Sequence, residues 1–97
     1  MRLYLDDQRP APQGWILARN AEEAIAWLRK GDVDEVSLDF DLGDRVFGTG
    51  MDVLEWIERA VSERRMALPR MTAHSGSPIG RRRLESMIAL IEERFGR

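Results

Sequence analysis

The 97-residue chain has no cysteine and only one histidine, one lysine and one tyrosine. Without cysteine, neither a disulfide framework nor a thiolate metal site can form. No stretch approaches the roughly 20 apolar residues that cross a bilayer. The opening Arg2-Leu3-Tyr4-Leu5-Asp6 lacks the apolar core of a signal peptide, so a cytoplasmic protein is expected. Charge of one sign is lacking too. Fifteen basic and 17 acidic residues leave a net charge of −2, which gives no general attraction to nucleic acid or to an anionic membrane.

What is present is ordinary for a folded protein. Hydrophobic residues make up 43% and charged residues 33%, which argues against disorder. The length suits one domain, residues 1–97, with one core and a short sheet.

Three short segments end a predicted strand in reactive groups: Leu5-Asp6-Asp7, Leu38-Asp39-Phe40-Asp41 and Ala73-His74-Ser75. The pattern between them alternates strand and helix. Leu3–Leu5 reads as a buried strand and Trp15–Ala18 as a second. Asn20 is placed to cap a helix whose Ala21, Ala24, Ile25 and Leu28 share a face and which Gly31 ends. Val36–Leu38 forms a third strand, and Leu42–Gly50, with three glycines, a loop in which Gly48-Thr49-Gly50 serves as hinge and cap. A second helix buries Val53, Leu54, Ile57, Ala60 and Val61. A fourth strand runs from Arg70 to Ala73 after Pro69. Ser77-Pro78 then suits an N-cap and first helical position ahead of Leu84, Met87, Ile88, Ile91 and Phe95.

This order predicts an α/β fold with a small, mostly parallel four-stranded sheet and about three helices. The connection over residues 6–14 holds Pro10, Pro12 and Gly14 and is too short for a helical crossover. Either it crosses in extended form, the preferred reading, or the Trp15 strand runs antiparallel to its neighbour.

In an open α/β sheet, ligands bind at the carboxyl ends of the strands. Asp6, Asp7, Asp39 and Asp41 would therefore gather at one edge. Clustered carboxylates raise one another's pKa unless a cation neutralises them, and hard Mg²⁺ suits carboxylate oxygens and a phosphate. Asp is also common where it merely caps a turn. His74 has the intrinsic pKa to exchange protons near neutrality, although a lone histidine is more often structural. Ser75-Gly76-Ser77-Pro78-Ile79-Gly80 enters a helix whose free N–H groups favour an anion. Arg81, Arg82 and Arg83 in its first turn oppose the helix dipole unless they meet anions such as a phosphate, although solvated arginines making surface pairs are the simpler explanation for at least two. Arg9 could fork onto a phosphate or neutralise Asp6 or Asp7. Trp15, Trp27 and Trp56 are expected to pack rather than stack on bases.

The order Asp6-Asp7, Asp39 and Gly50-Met51-Asp52-Val53-Leu54 resembles receiver domains of two-component signalling. In receivers the acid pair binds Mg²⁺, the strand-end Asp accepts a phosphoryl group and a later Ser/Thr, here near His74 or Ser75, completes the site. Two departures stand out. A receiver has a lysine after a fifth strand, whereas the only lysine here, Lys30, closes the first helix. The helix that usually joins the first two strands is also missing.

A narrower resemblance covers nearly the whole chain. Leu5-Asp6-Asp7-Gln8-Arg9-Pro10-Ala11-Pro12, Ser37-Leu38-Asp39-Phe40-Asp41-Leu42-Gly43, Gly50–Leu54 and His74-Ser75-Gly76-Ser77-Pro78-Ile79-Gly80-Arg81 look like the cyclic-phosphate processing receiver domain, a reduced receiver-like family. That family is proposed to act on cyclic phosphates through conserved histidines, and Phe40 stands where it usually has one. The resemblance implies a Mg²⁺-dependent (or Mn²⁺-dependent) phosphoesterase acting on a small nucleotide-type cyclic phosphate. Asp6, Asp7 and Asp39 would hold the metal. His74 would act as general acid or base, and Asp41 as ligand or water-orienting group. Arg9, Ser75, Ser77 and Arg81 would hold phosphate oxygens. The alternative is a non-catalytic receiver-like module acting through ligand, partner or homodimer contacts, and a phosphoaspartate switch at Asp39 is the third reading.

Overall fold

The computed structural model describes residues 1–40 and 48–96. Strands β1 (Arg2–Leu5) and β2 (Trp15–Ala18) precede helix α1 (Ala21–Lys30). Then come β3 (Glu35–Leu38), α2 (Gly50–Ser62), β4 (Arg70–Ala73) and α3 (Pro78–Arg94). The four strands form one sheet in the order β2-β1-β3-β4, and every pairing is parallel. The Trp15 strand is therefore parallel to β1, and residues 6–14 make the return without a helix. Nine extended residues reach about 30 Å, ample to pass back along a four-residue strand of about 13 Å.

Parallel sheets usually carry helices on both faces and apolar residues throughout their strands. Here β1, β3 and β4 alternate. Leu3, Leu5, Val36, Leu38 and Met71 turn to one side and join Leu28, Leu54, Ile57, Leu84 and Ile91 of the three helices in one core. Tyr4, Ser37 and Thr72, on the opposite phase, turn to the other side. All three helices thus feed one core, while on the second face Tyr4 packs against Trp15 and His74 and Ser37 meets the His74 ring.

The helix starts follow local chemistry. The Asn20 side chain accepts the Glu23 N–H, and the Ser77 hydroxyl accepts that of Gly80 with Pro78 at the first helical position. Thr49 and Asp52 form a capping box at α2. Gly50 opens α2 because a Cβ there would lie 2.3 Å from the Asp39 carbonyl oxygen. That close approach pins the start of α2 against the end of β3. Among the described residues no helix is long and apolar enough to cross a membrane.

Candidate functional site

Register creates the site. Leu5 is level with Ala18 and Leu38, and Leu38 with Ala73. The ladder continues one residue further: Asp6 N–H donates to Ala18 O, Asp39 N–H to Leu5 O and His74 N–H to Leu38 O. Asp6, Asp39 and His74 are thereby set abreast at the carboxyl edge. One ligand atom from each lies within 4.8 Å of the others.

Asp6 is only 2% exposed, and both of its carboxylate oxygens have partners. Its Oδ1 accepts the N–H groups of Gln8 at 2.9 Å and Arg9 at 2.8 Å, closing the turn that leaves β1. Its Oδ2 lies 3.1 Å from His74 Nε2. Burial alone would raise its pKa, but the N–H groups of Arg9 and Gln8, with His74, outweigh that and hold it below the usual value. Asp39 behaves oppositely. Burial, reinforced by the Asp6 charge, raises its pKa despite the Ser75 hydroxyl and His74. The edge thus holds one carboxylate with a lowered pKa beside another with a raised one, and a bound cation would relieve the second.

His74 is held on three sides. Nδ1 is 2.7 Å from Ser37 Oγ, Nε2 faces Asp6, and the ring stacks on Tyr4 with centroids 4.0 Å apart and planes 8° from parallel. Tyr4 also shares a hydrogen bond with the Arg9 side chain, and burial raises its pKa. Arg19 braces the same turn from outside, its Nη1 donating to Arg9 O at 3.0 Å and Asp6 O at 3.4 Å.

In front of these groups opens a cavity of about 250 Å³ lined by Asp6, Asp7, Gln8, Arg9, Asp39, Ser75, Gly76 and Ser77. The Arg9 guanidinium lies over Gly76, where a Cβ would stand 3.4 Å from Nη2. Ser75 is 7% exposed and accepts the Ser77 N–H at 3.2 Å, while its own hydroxyl bonds Asp39. Carboxylates, a guanidinium and a Ser/Gly turn leading into α3 therefore share one crevice.

Of the residues singled out in the sequence, Asp6, Asp7, Asp39, Arg9, Ser75 and Ser77 line this crevice; His74 is not among the lining residues but meets Asp6 and offers a ring nitrogen within 4.8 Å of Asp6 and Asp39 oxygens. Arg81 is exposed in the first turn of α3 and is not among the lining residues. Asp41 lies outside the described residues. Phe40 is directed elsewhere. It packs on Gly80, where a Cβ would come within 2.8 Å of it, and lines an apolar groove of about 650 Å³ with Met51, Ile79, Arg82, Met87 and Leu90. Three participants escaped the sequence reading: Tyr4, Ser37 and Arg19. The first two carried a signal, since Tyr4 precedes Asp6 and Ser37 precedes Asp39 by two residues, the strand period that places side chains on one face.

Asp6, Asp39 and His74 could together hold a divalent cation, and Asp7 lines the same crevice. No curated protein and no solved structure gives a significant match to the chain. A family model described as cyclic-phosphate processing receiver domain matches residues 1–90. With its four parallel strands, its acid pair after β1 and its Asp at the end of β3, the chain belongs to the cyclic-phosphate processing receiver domain family.

Proposed function

We propose that the crevice binds a divalent cation, Mg²⁺ or Mn²⁺, together with the phosphate of a small nucleotide-type ligand, and opens a cyclic phosphate to a monoester. The observation that carries this reading is the convergence of Asp6, Asp7 and Asp39 with Arg9 and the Ser75–Ser77 turn in one cavity. In the reaction, water adds to phosphorus, one ring P–O bond breaks, and the departing oxygen takes up a proton. A bound cation would neutralise the carboxylates and draw charge from the phosphate oxygens. Arg9 and the Ser75–Ser77 turn hold and orient the phosphate; Arg81 adds long-range positive charge at the helix start. His74, the only imidazole, serves either as proton carrier or as a cation ligand.

A second reading, a binding module without turnover, is favoured by one observation. Both ring nitrogens of His74 are already engaged, and Phe40 faces away from the crevice. Hydrolysis of a 2′,3′-cyclic nucleotide panel, with Mg²⁺ or Mn²⁺ and with chelator, separates the two. Cation-dependent monoester formation that disappears in Asp39→Asn supports the enzyme. Absence of product, accompanied by a ligand-induced rise in Tm, supports the module.

A further inference from the structure

His74 Nε2 and Asp6 Oδ2 are 3.1 Å apart, and Asp39 offers an oxygen within 4.8 Å of both. Two ligand atoms that share one cation at about 2.1 Å, at angles between square and tetrahedral, stand about 3.0–3.4 Å apart. The spacing that serves a hydrogen bond between Asp6 and His74 is therefore also the spacing of neighbouring cation ligands. For His74 to ligate, its Nε2 must present a lone pair, so its ring proton must reside on Nδ1. Ser37 Oγ stands 2.7 Å from Nδ1 and, being a hydroxyl, can accept that proton as readily as it donates. The parallel Tyr4 ring fixes the imidazole plane in either tautomer. A ligating histidine characteristically hands its second N–H to such an outer partner.

We propose that His74 ligates the cation through Nε2 beside the carboxylates of Asp6 and Asp39, with Ser37 accepting the Nδ1 proton as the positioning residue. This rests on the reading that the crevice binds a cation, and it deepens that reading by naming the cation class. Mg²⁺ prefers oxygen ligands and keeps its waters, whereas an imidazole nitrogen with carboxylates favours Mn²⁺, Fe²⁺ or Zn²⁺. The site then selects such a metal over Mg²⁺, and selection is supplied by a residue that an all-carboxylate site would not use.

His74 is the only histidine, so protein labelled with ¹⁵N-histidine has one imidazole to read. Titration of the intact wild-type chain with Zn²⁺, a diamagnetic probe, is expected to move the Nε2 resonance to that of a ligated nitrogen, with the ring proton then on Nδ1. Mg²⁺ should leave Nε2 unligated. By calorimetry, Ser37→Ala should weaken Zn²⁺ binding about 10–100-fold, the usual effect of removing an outer partner, with much less change for Mg²⁺. Zn²⁺ saturation with both ring nitrogens unmoved overturns the proposal. If Mg²⁺ nevertheless binds and Asp39→Asn abolishes that binding, the cation crevice survives and only the role of His74 falls. Failure of Zn²⁺, Mn²⁺ and Mg²⁺ alike to bind overturns both.

Discussion

Removing the Asp6 carboxylate tests whether the turn after β1 is held as the structure indicates. Three contacts are lost in Asp6→Ala: the N–H groups of Gln8 and Arg9 lose their acceptor, and His74 Nε2 loses its partner. Hydrogen bonds to a charged group contribute about 1.5–3 kcal/mol each when buried. Gln8 and Arg9 are exposed, however, so water replaces much of what their N–H groups lose. The His74 contact is better shielded. Counting it fully and the turn bonds at a fraction gives a destabilisation of about 2–4 kcal/mol. Asp6→Asn keeps an acceptor for the turn and, by donating its amide to a His74 that has moved its proton to Nδ1, should cost about half as much. Urea unfolding of the three proteins measures this directly. The pH dependence supplies a second check. Asp6 titrates below its unfolded value of 3.8, so its ionised form stabilises the fold above that value, and the contribution is lost as pH falls through the lower folded value. The gap between wild type and Asp6→Asn should therefore be full at pH 6 and close under acid conditions. A cost below about 0.5 kcal/mol for Asp6→Ala, the level of an ordinary surface change, would refute the reasoning.

Asp39 carries the opposite sign, because its raised pKa means that ionisation opposes folding above its folded pKa and that protonation relieves the penalty. Asp39→Asn should accordingly raise the Tm of the cation-free protein and remove any further rise on adding Mn²⁺; a lower Tm without cation would contradict this. Gly50→Ala places a Cβ 2.3 Å from a backbone oxygen that cannot move alone, so a loss of about 1–3 kcal/mol should exceed the helix-propensity gain, and denaturation midpoints will show which prevails. Phe40→His exchanges a half-buried ring packed on Gly80 for a polar one outside the crevice lining. It should lose about 1–2 kcal/mol without raising cyclic-nucleotide turnover, and a gain in turnover would show that position 40 reaches the reacting groups.

The strand and helix order, the caps at Asn20, Thr49 and Ser77, and the placement of Asp6, Asp7 and Asp39 at strand ends were legible in the chain itself. These depend on neighbours a few positions away: hydroxyls near free N–H groups, apolar residues at helical spacing, and short apolar runs stopped by acids. The direction of the β2 strand stood between two readings because its connection contains no element that commits it. Pairing with β1 decides it, and the extended segment is long enough to allow the parallel choice. Tyr4 and Ser37 were within reach of strand alternation, but only register shows that both turn to His74. Arg19 carried no comparable signal, since its contacts are with the backbone of a turn ten and more residues earlier.

The sequence by itself determined the local elements, the chemistry available at their ends and the family to which the chain belongs. Tertiary structure alone decided which groups meet. Asp6 and His74 are 68 residues apart, and their contact follows from two shared registers, β1 with β3 and β3 with β4. It also decided that Phe40 turns to Gly80 and that His74 spends both ring nitrogens on Ser37 and Asp6. The physical reason is range: caps and periodicity act within a few residues, whereas strand register and side-chain direction are set by packing among segments that only folding brings together.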